Sequence, residues 1–311
     1  MNGASSTGKG MKRAIPRSPY TRGPAGNLET SLPREVSEGV RTGRVLAGDD
    51  FTDQQLSTWF SQEREAFFQQ DDGNSDVDPW YAYMRFVNET LGFSRVSSVA
   101  ADANSVLVIG PGSGIEIKTF AERHPDWHLH LLEASSNFRV ALKDRWPWAV
   151  VLEPATSGDI GLKSDSQSLV CAFSVLHHIP NVSKVVKEVG RILRPGGVFL
   201  VREPCSSMGD WRFPRSATPN ERGIGRDLLV AFAKRAGLEV DTKPVPILFE
   251  PLNKALRCSI GYSAISFSLL YRVDRVVSWF AAFNDYYWRD SWYKKFGPSS
   301  YFYVFRKSQF C

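Results

Sequence analysis

Three glycines, Gly110, Gly112 and Gly114, follow an apolar run in the stretch VLVIGPGSGIE. Glycine has no side chain to hold a ligand away and tolerates left-handed backbone conformations. A Gly-rich turn between a strand and a helix lies at the carboxyl edge of a parallel sheet, where α/β proteins bind ligands. The spacing is G-x-G-x-G; the dinucleotide fingerprint G-x-G-x-x-G would place its third glycine at Ile115. No G-x-x-x-x-G-K-[ST] is present, which excludes a P-loop. The loop therefore favours a nucleoside without a pyrophosphate. Glu133 ends the next apolar run, HLHLLEA, 23 residues after Gly110. There an acid can accept hydrogen bonds from both hydroxyls of a ribose. His177 and His178 follow a fourth run, SLVCAFS, and histidine titrates in the range useful to a general base. Glu203 ends a fifth run and faces the same edge. For these three residues a packing role stands beside the catalytic one.

The elements that would hold these residues are legible from periodicity. SVLVIG, HLHLLEA, AVVLE, SLVCAFS and VFLVREP read as buried strands. IEIKTFAERH, SNFRVALKDRW and VSKVVKEVGRIL read as the helices between them. The second of these helices places Phe138, Ala141 and Leu142 on one side. The third turns Val182, Val185, Val186, Val189 and Ile192/Leu193 inward, and RPGG ends it. RDLLVAFAKRAGLEV is a helix, a Gly237 stop and a strand. Such β-α alternation requires a parallel sheet with helices on both faces.

Upstream, Thr52 and Gln55 form a capping box, with Phe51 and Leu56 as its hydrophobic staple. Leu56, Trp59, Phe60, Glu63 and Phe67 then recur at helical spacing, and Glu63 is the polar exception. A polar turn, DDGNSD, leads to Asp78, which caps a second helix with Pro79 at its first position. Trp80, Tyr83, Met84, Val87 and Leu91 line the apolar side of that helix. Downstream, residues 250–298 are rich in aromatics, and Leu269/Leu270, Val273, Val276/Val277, Phe280 and Phe283 recur at three and four. SYFYVFRKS at the end is apolar on both alternating faces, as a strand buried in the sheet must be.

Composition sets the outer bounds. The 311 residues carry a formal net charge of +5. Residues 1–44 hold eight Lys/Arg and three Glu, so the rest of the chain is neutral and nucleic acid is disfavoured as a partner. No apolar run approaches the roughly 20 residues of a membrane span, and the N-terminus lacks the apolar core of a secretory signal. Cys171, Cys205, Cys258 and Cys311 are scattered, with no C-x-x-C pair, which suggests neither a zinc site nor a redox dithiol. Reduced thiols in a cytoplasmic protein, with no metal, are the expectation.

Together VLVIGPGSG, LLEAS, GDIGLKSDSQSLVCAFSVLHHIPN and VGRILRPGGVFLVREP resemble the consecutive motifs of class I S-adenosylmethionine-dependent methyltransferases. The resemblance is to the small-molecule, type 11-like branch and covers roughly residues 104–205. It implies an α/β fold: a doubly wound, seven-stranded, Rossmann-like sheet whose antiparallel last strand lies beside the sixth, which accounts for SYFYVFRKS. It implies S-adenosylmethionine as cofactor. Gly110, Pro111, Gly112 and Gly114 would pass under its methionine and ribose parts. Glu133 would hold the ribose, with Ala134 and Ser135 nearby. Asp159 would contact the adenine amine, with Ile160 beside the ring, and Ser174 would lie near the methionine. The Asp159 segment is about a residue shorter than the family pattern. Val108 stands where the family commonly has an acid that organises the site around the methionine amine. Glu116, at the following helix start, is the proposed partial substitute.

The resulting organisation is a disordered basic arm at 1–50, a helical cap at 51–98 and a cofactor-binding core at 99–249. An aromatic helical insertion at 250–298 serves as lid or dimer contact, and a final strand and C-terminus occupy 299–311. Methyl transfer from a sulfonium is an in-line displacement, in which alignment supplies much of the catalysis. The expected acceptor is a small molecule, aromatic, lipid-like or sugar-bearing, methylated on oxygen. Two alternatives stay open: an RNA- or protein-directed methyltransferase, for which WRDSWYKKF supplies basic residues among aromatics, and a non-catalytic binding protein.

Overall fold

The computed structural model describes residues 30–70, 78–96, 104–213 and 218–309. The expected turn DDGNSD and Cys311 lie outside the described residues, as does the Phe67 side chain.

The described chain opens with α1 (Glu38–Arg41), α2 (Asp53–Gln70), α3 (Pro79–Asn88) and α4 (Ser94–Val96). Both expected helix starts form. Thr52 N–H donates to Gln55 Oε1 at 2.9 Å, one half of the capping box. Asp78 Oδ1 accepts from Trp80 N–H at 2.8 Å, with Pro79 in the first turn. The core then alternates: β1 (Ser105–Ile109), α5 (Lys118–Arg123), β2 (His128–Leu132), α6 (Ser136–Arg145), β3 (Val150–Leu152), β4 (Gln167–Phe173), α7 (Val182–Ile192), β5 (Leu193–Pro204), α8 (Arg226–Arg235) and β6 (Leu238–Phe249). α9 (Glu250–Ala255) and α10 (Phe267–Ala281) precede β7 (Pro298–Lys307).

The seven strands lie in the order β3-β2-β1-β4-β5-β7-β6. The first five are parallel, and β7 runs antiparallel to both β5 and β6. Strand order reverses between β1 and β4, which opens a crevice at their carboxyl ends. This is the seven-stranded, Rossmann-like architecture expected from the motifs, and the sheet is open.

Side chains alternate across the sheet because a strand has a period of two. Val106, Val108, Leu169, Cys171, Val198 and Leu200 face one layer, with Tyr83 and Val87 of α3 and Phe120 of α5. Leu107, Ile109, Val170, Ala172, Phe199 and Val201 face the other, with α7 and α8. The α7 stripe Val182, Val185, Val186, Val189 and Ile192 is fully buried as expected. Each such side chain stabilises by roughly 1.5–3 kcal/mol relative to exposure. In α6 only Leu142 is buried; Ala141 is exposed. Gly237, at φ +74, terminates α8 as read.

One sequence reading needs correction. Residues 30–50 are not an arm. Leu32, Val40 and Ala47 are buried in a third apolar cluster with Trp59, Trp211, Tyr287 and Trp288. Long-range bonds fix the segment: Trp211 Nε1–H donates to Pro33 O at 2.9 Å, and Arg222 Nε–H to Ala47 O at 2.9 Å. Its low apolar density hid a contribution made by partners more than 170 residues away. α10 is helical as read; Leu269, Val273, Val276 and Phe280 are exposed along it, as is Phe283 just beyond its end. The buried face is Leu270, Asp274, Ser278 and Ala281. Asp274 is tolerated there because its two oxygens accept from Leu248 N–H and Phe249 N–H, both at 2.8 Å.

Candidate active site

The glycine loop leaves β1 with left-handed conformations at Gly110 (φ +58), Gly112 (φ +54) and Gly114 (φ +81). The three glycines are needed for different reasons. A Cβ on Gly110 would lie 2.1 Å from Val175 Cγ2, and one on Gly114 would lie 2.5 Å from the Trp146 ring. Those two positions are closed by the protein itself. A Cβ on Gly112 would meet nothing within 4 Å, so this glycine borders open space at the crevice. Pro111 O closes the turn by accepting from Gly114 N–H at 2.8 Å.

Glu133 is joined to this loop. Gly112 N–H donates to its Oε2 at 2.9 Å, and Ser135 N–H to its Oε1 at 2.8 Å. Burial raises the Glu133 pKa above the ordinary carboxylate value, against the pull of those backbone donors. Each oxygen keeps a further lone pair for an outside donor. Ser135 also caps α6, and Arg139 Nη1 ties down the carbonyls of Glu133 and Ala134 at 3.0 and 2.7 Å. The β2 end is thus held rigidly with its carboxylate beside Gly112. A glycine bordering open space next to a fixed acid is the cradle a ribose-bearing ligand fits.

Across the crevice, Ser174 follows β4 in a left-handed conformation (φ +52), which strains a non-glycine residue. Its Oγ accepts from Arg202 Nη2 at 2.9 Å. Arg202 is buried at the end of β5 and also donates from Nη2 to Glu116 Oε1 (2.8 Å) and Oε2 (3.0 Å), and from Nη1 to Asn88 Oδ1 (3.1 Å). Sequence reading missed Arg202, although an Arg at the core-facing position of VFLVREP was a visible signal. Val108 is buried on the same face of the sheet. The Glu116 carboxylate is engaged by Arg202.

The third group lies at the β4–β5 end. Glu203 is fully buried; its Oε1 accepts from Val175 N–H and Leu176 N–H, both at 2.7 Å, and its Oε2 contacts His177 Nδ1 at 2.8 Å. Its oxygens hold the turn, so Glu203 positions His177 and is not itself presented to a substrate. His178 Nδ1 contacts Glu63 Oε2 at 2.9 Å, which explains the polar residue on the apolar stripe of α2. His178 Nε2 lies 3.8 Å from Glu221 Oε1, and the two imidazole centroids are 4.0 Å apart. Burial, then the neighbouring His178, lowers the His177 pKa. Burial also opposes charge on His178, but Glu63, Glu221 and Glu203 outweigh it and raise that pKa. Arg222 Nη1 and Nη2 donate to the carbonyls of His177, Ile179 and Pro180 at 2.8–3.0 Å, fixing the turn from below. Glu221 and Arg222 were missed in sequence reading, and Glu63 stood out only as a polar exception, because nothing local connects them to the histidines.

Asp159 is exposed beyond β3 and accepts from Ser157 Oγ at 2.7 Å. The Ile160 side chain is buried in the layer under α7, and Ile160 N–H donates to Glu188 Oε2 at 3.0 Å. The structure therefore brings Gly110–Gly114 and Glu133–Ser135 together, and separately groups Ser174 with Arg202, and His177 and His178 with Glu203.

The strand order and this cradle define the class, that of Rossmann-like methyltransferases. Residues 107–201 match the family model described as a methyltransferase domain. The chain thus carries a class I S-adenosylmethionine-dependent methyltransferase domain of the type 11 branch; it is an enzyme, and its cofactor is S-adenosylmethionine. No curated protein sequence matches the chain. Among solved structures, a proposed sarcosine dimethylglycine methyltransferase from Galdieria sulphuraria is similar at 16% identity, with a TM-score of 0.48, covering 72% of this chain and 85% of that one. An S-adenosylmethionine-dependent methyltransferase from Mesorhizobium loti is similar at 14% identity, with a TM-score of 0.46, covering 71% and 97%. Among the described residues, no helix is long and apolar enough to cross a membrane.

Proposed function

We propose that this chain methylates an oxygen atom of a small-molecule acceptor. The observation that carries the reading is the split of the crevice edge into a nucleoside-holding half, Gly112 with Glu133, and a polar half, His177 and His178 with their carboxylates. S-adenosylmethionine, when bound, supplies an electrophilic methyl group on a sulfonium. Gly110, Pro111, Gly112 and Gly114 would shape its path, and Glu133, beside Ala134 and Ser135, would accept from its ribose hydroxyls. Asp159, exposed beyond β3, would contact the adenine amine, and Ser174 would lie toward the methionine. The chain's own contribution is alignment, which can supply much of the barrier reduction. A hydroxyl acceptor must also shed a proton. The imidazole and carboxylate group at the β4–β5 end is the part of this edge equipped to draw that proton away.

A small acceptor is favoured over RNA by what becomes of WRDSWYKKF. Lys294 Nζ is paired with Asp290 Oδ1 at 2.8 Å, and Arg289 turns inward to donate to Pro298 O. These two cations are not arranged as a phosphate-binding patch. The test is incubation with methyl-labelled cofactor and separated small-molecule, RNA and protein fractions of a cell extract. Label in a small-molecule fraction, stable to conditions that release carboxyl methyl esters, is expected. Label confined to RNA or protein overturns the reading.

A further inference from the structure

The histidine cluster has a feature that proton transfer alone does not require. Among the described residues, His177, His178 and Glu221 offer ligand atoms that all lie within 4.8 Å of one another. Both imidazoles are held from the Nδ1 side by a buried carboxylate: Glu203 at 2.8 Å on His177 and Glu63 at 2.9 Å on His178. A neutral imidazole donating from Nδ1 keeps its lone pair on Nε2. Carboxylate-held histidines converging with an acid are the arrangement of metal sites, where the outer carboxylate fixes ring tautomer and orientation.

Charge points the same way. Glu63, Glu203 and Glu221 surround two imidazoles in a mostly buried volume. The cation beside them is Arg222, whose guanidinium donates to the carbonyls of Ala47, His177, Ile179 and Pro180. Buried carboxylates need compensating positive charge. The cluster is also rigid on one side. Glu203 holds the turn through two backbone N–H groups, and Trp59 Nε1–H donates to His178 O at 2.7 Å. Glu221 is the more exposed member, its side chain 27% accessible, and is the one able to move in.

The geometry points to a divalent-cation site formed by His177 Nε2, His178 Nε2 and the Glu221 carboxylate. Two imidazoles with one carboxylate suit borderline first-row ions such as Zn²⁺, Co²⁺ or Ni²⁺, not Mg²⁺ or Ca²⁺, which prefer all-oxygen shells. Metal–nitrogen bonds of roughly 2.0–2.1 Å require the two imidazoles to turn toward each other as well as Glu221 to close in, by about an ångström each. The site rests on the proposed function only for its purpose. A cation there supplies the charge that draws a proton off a hydroxyl, so the imidazoles themselves need not take it. The competing arrangement is a protonated His178 shared between Glu63 and Glu221, with no ion.

The test uses the full chain, stripped with a chelator and titrated with Co²⁺, read by its visible absorption and by metal analysis after dialysis, then competed with Zn²⁺. S-adenosylmethionine affinity is measured in parallel. We expect one ion per chain, a raised Tm in its presence, and Glu221→Gln binding at least about 10-fold more weakly with cofactor affinity retained. Absence of bound Co²⁺ and of any Tm change overturns the site, as does Glu221→Gln binding Co²⁺ as the native chain does. Where Glu221→Gln fails to fold, Glu221→Asp keeps the charge but shortens the reach; undiminished Co²⁺ binding by it is equally fatal. Ion binding without label transfer would instead reject the proposed function and leave the site standing.

Discussion

Arg202 and Glu116 form a bidentate ion pair beneath the glycine loop, with Nη2 at 2.8 and 3.0 Å from the two carboxylate oxygens. The pair joins the end of β5 to the turn preceding α5, on the face of the sheet where Val108 is buried. The negative charge of Glu116 is already matched by the buried Arg202 guanidinium, whereas Glu133 is held by neutral backbone N–H groups. The ion pair makes Glu116 a structural partner to Arg202, and this role can be separated experimentally from the cofactor role its position suggests.

Glu116→Gln is expected to lower stability by about 3 kcal/mol, because it strands a buried guanidinium. Its S-adenosylmethionine affinity should stay within a few-fold of the native value. The double variant with Arg202→Met should recover part of the lost stability, since neither charge is then left alone. Denaturant unfolding and calorimetric binding test both halves. A large loss of affinity with stability intact would restore Glu116 as a cofactor ligand.

The glycines separate in the same way. Gly110→Ala forces a Cβ into Val175 and should lower Tm markedly. Gly112→Ala meets no protein atom and bears only the left-handed conformational cost, about 1–2 kcal/mol. It should fold yet lose cofactor affinity by a larger factor than its stability loss explains. Equal affinity in Gly112→Ala and the native chain would remove that glycine from the site.

Glu133 sets a pH dependence whose direction follows from its raised pKa. Ribose hydroxyls donate to the ionised form. Cofactor affinity should therefore climb with pH through a value above that of an ordinary glutamate, then level off. Stability of the ligand-free protein runs the other way. With the folded pKa raised, the Glu133 contribution is complete below the unfolded value and is lost as pH rises through the folded one. Glu133→Gln should flatten the affinity profile and weaken binding roughly 10- to 100-fold, as expected for losing charge-assisted hydrogen bonds. A slope that persists in Glu133→Gln assigns the titration to another group.

How far the sequence reached depended on sequence distance. The sheet, the glycine loop and Glu133 were legible because period-two strands, 3.6-residue helices and turn chemistry are local signals. Gly110 and Glu133 sit at the ends of adjacent parallel strands, so the fold brings them together once the strand order is known. Glu63 shows the limit. It was visible as a polar residue on an apolar stripe, but its reason, His178, lies 115 residues away. Arg222 and Glu221 sit in a loop with no periodicity, and residues 30–50 are fixed by tryptophans and an arginine far along the chain. α10 shows a second limit: spacing established the helix, yet an apolar stripe does not by itself say which face turns inward.

The observed facing of α10 yields a prediction. Phe280 is exposed, so Phe280→Ser should change unfolding stability by no more than about 0.5 kcal/mol, as for an ordinary surface substitution. Asp274, on the buried face, caps two backbone N–H groups at the end of β6. One of these belongs to Leu248, which is held at φ +60, a strained conformation that needs the cap to persist. Asp274→Ala leaves both donors buried and unpaired, at about 1–3 kcal/mol each. Urea unfolding of the two variants side by side decides the orientation. A destabilised Phe280→Ser with a neutral Asp274→Ala would mean that α10 packs by its apolar face.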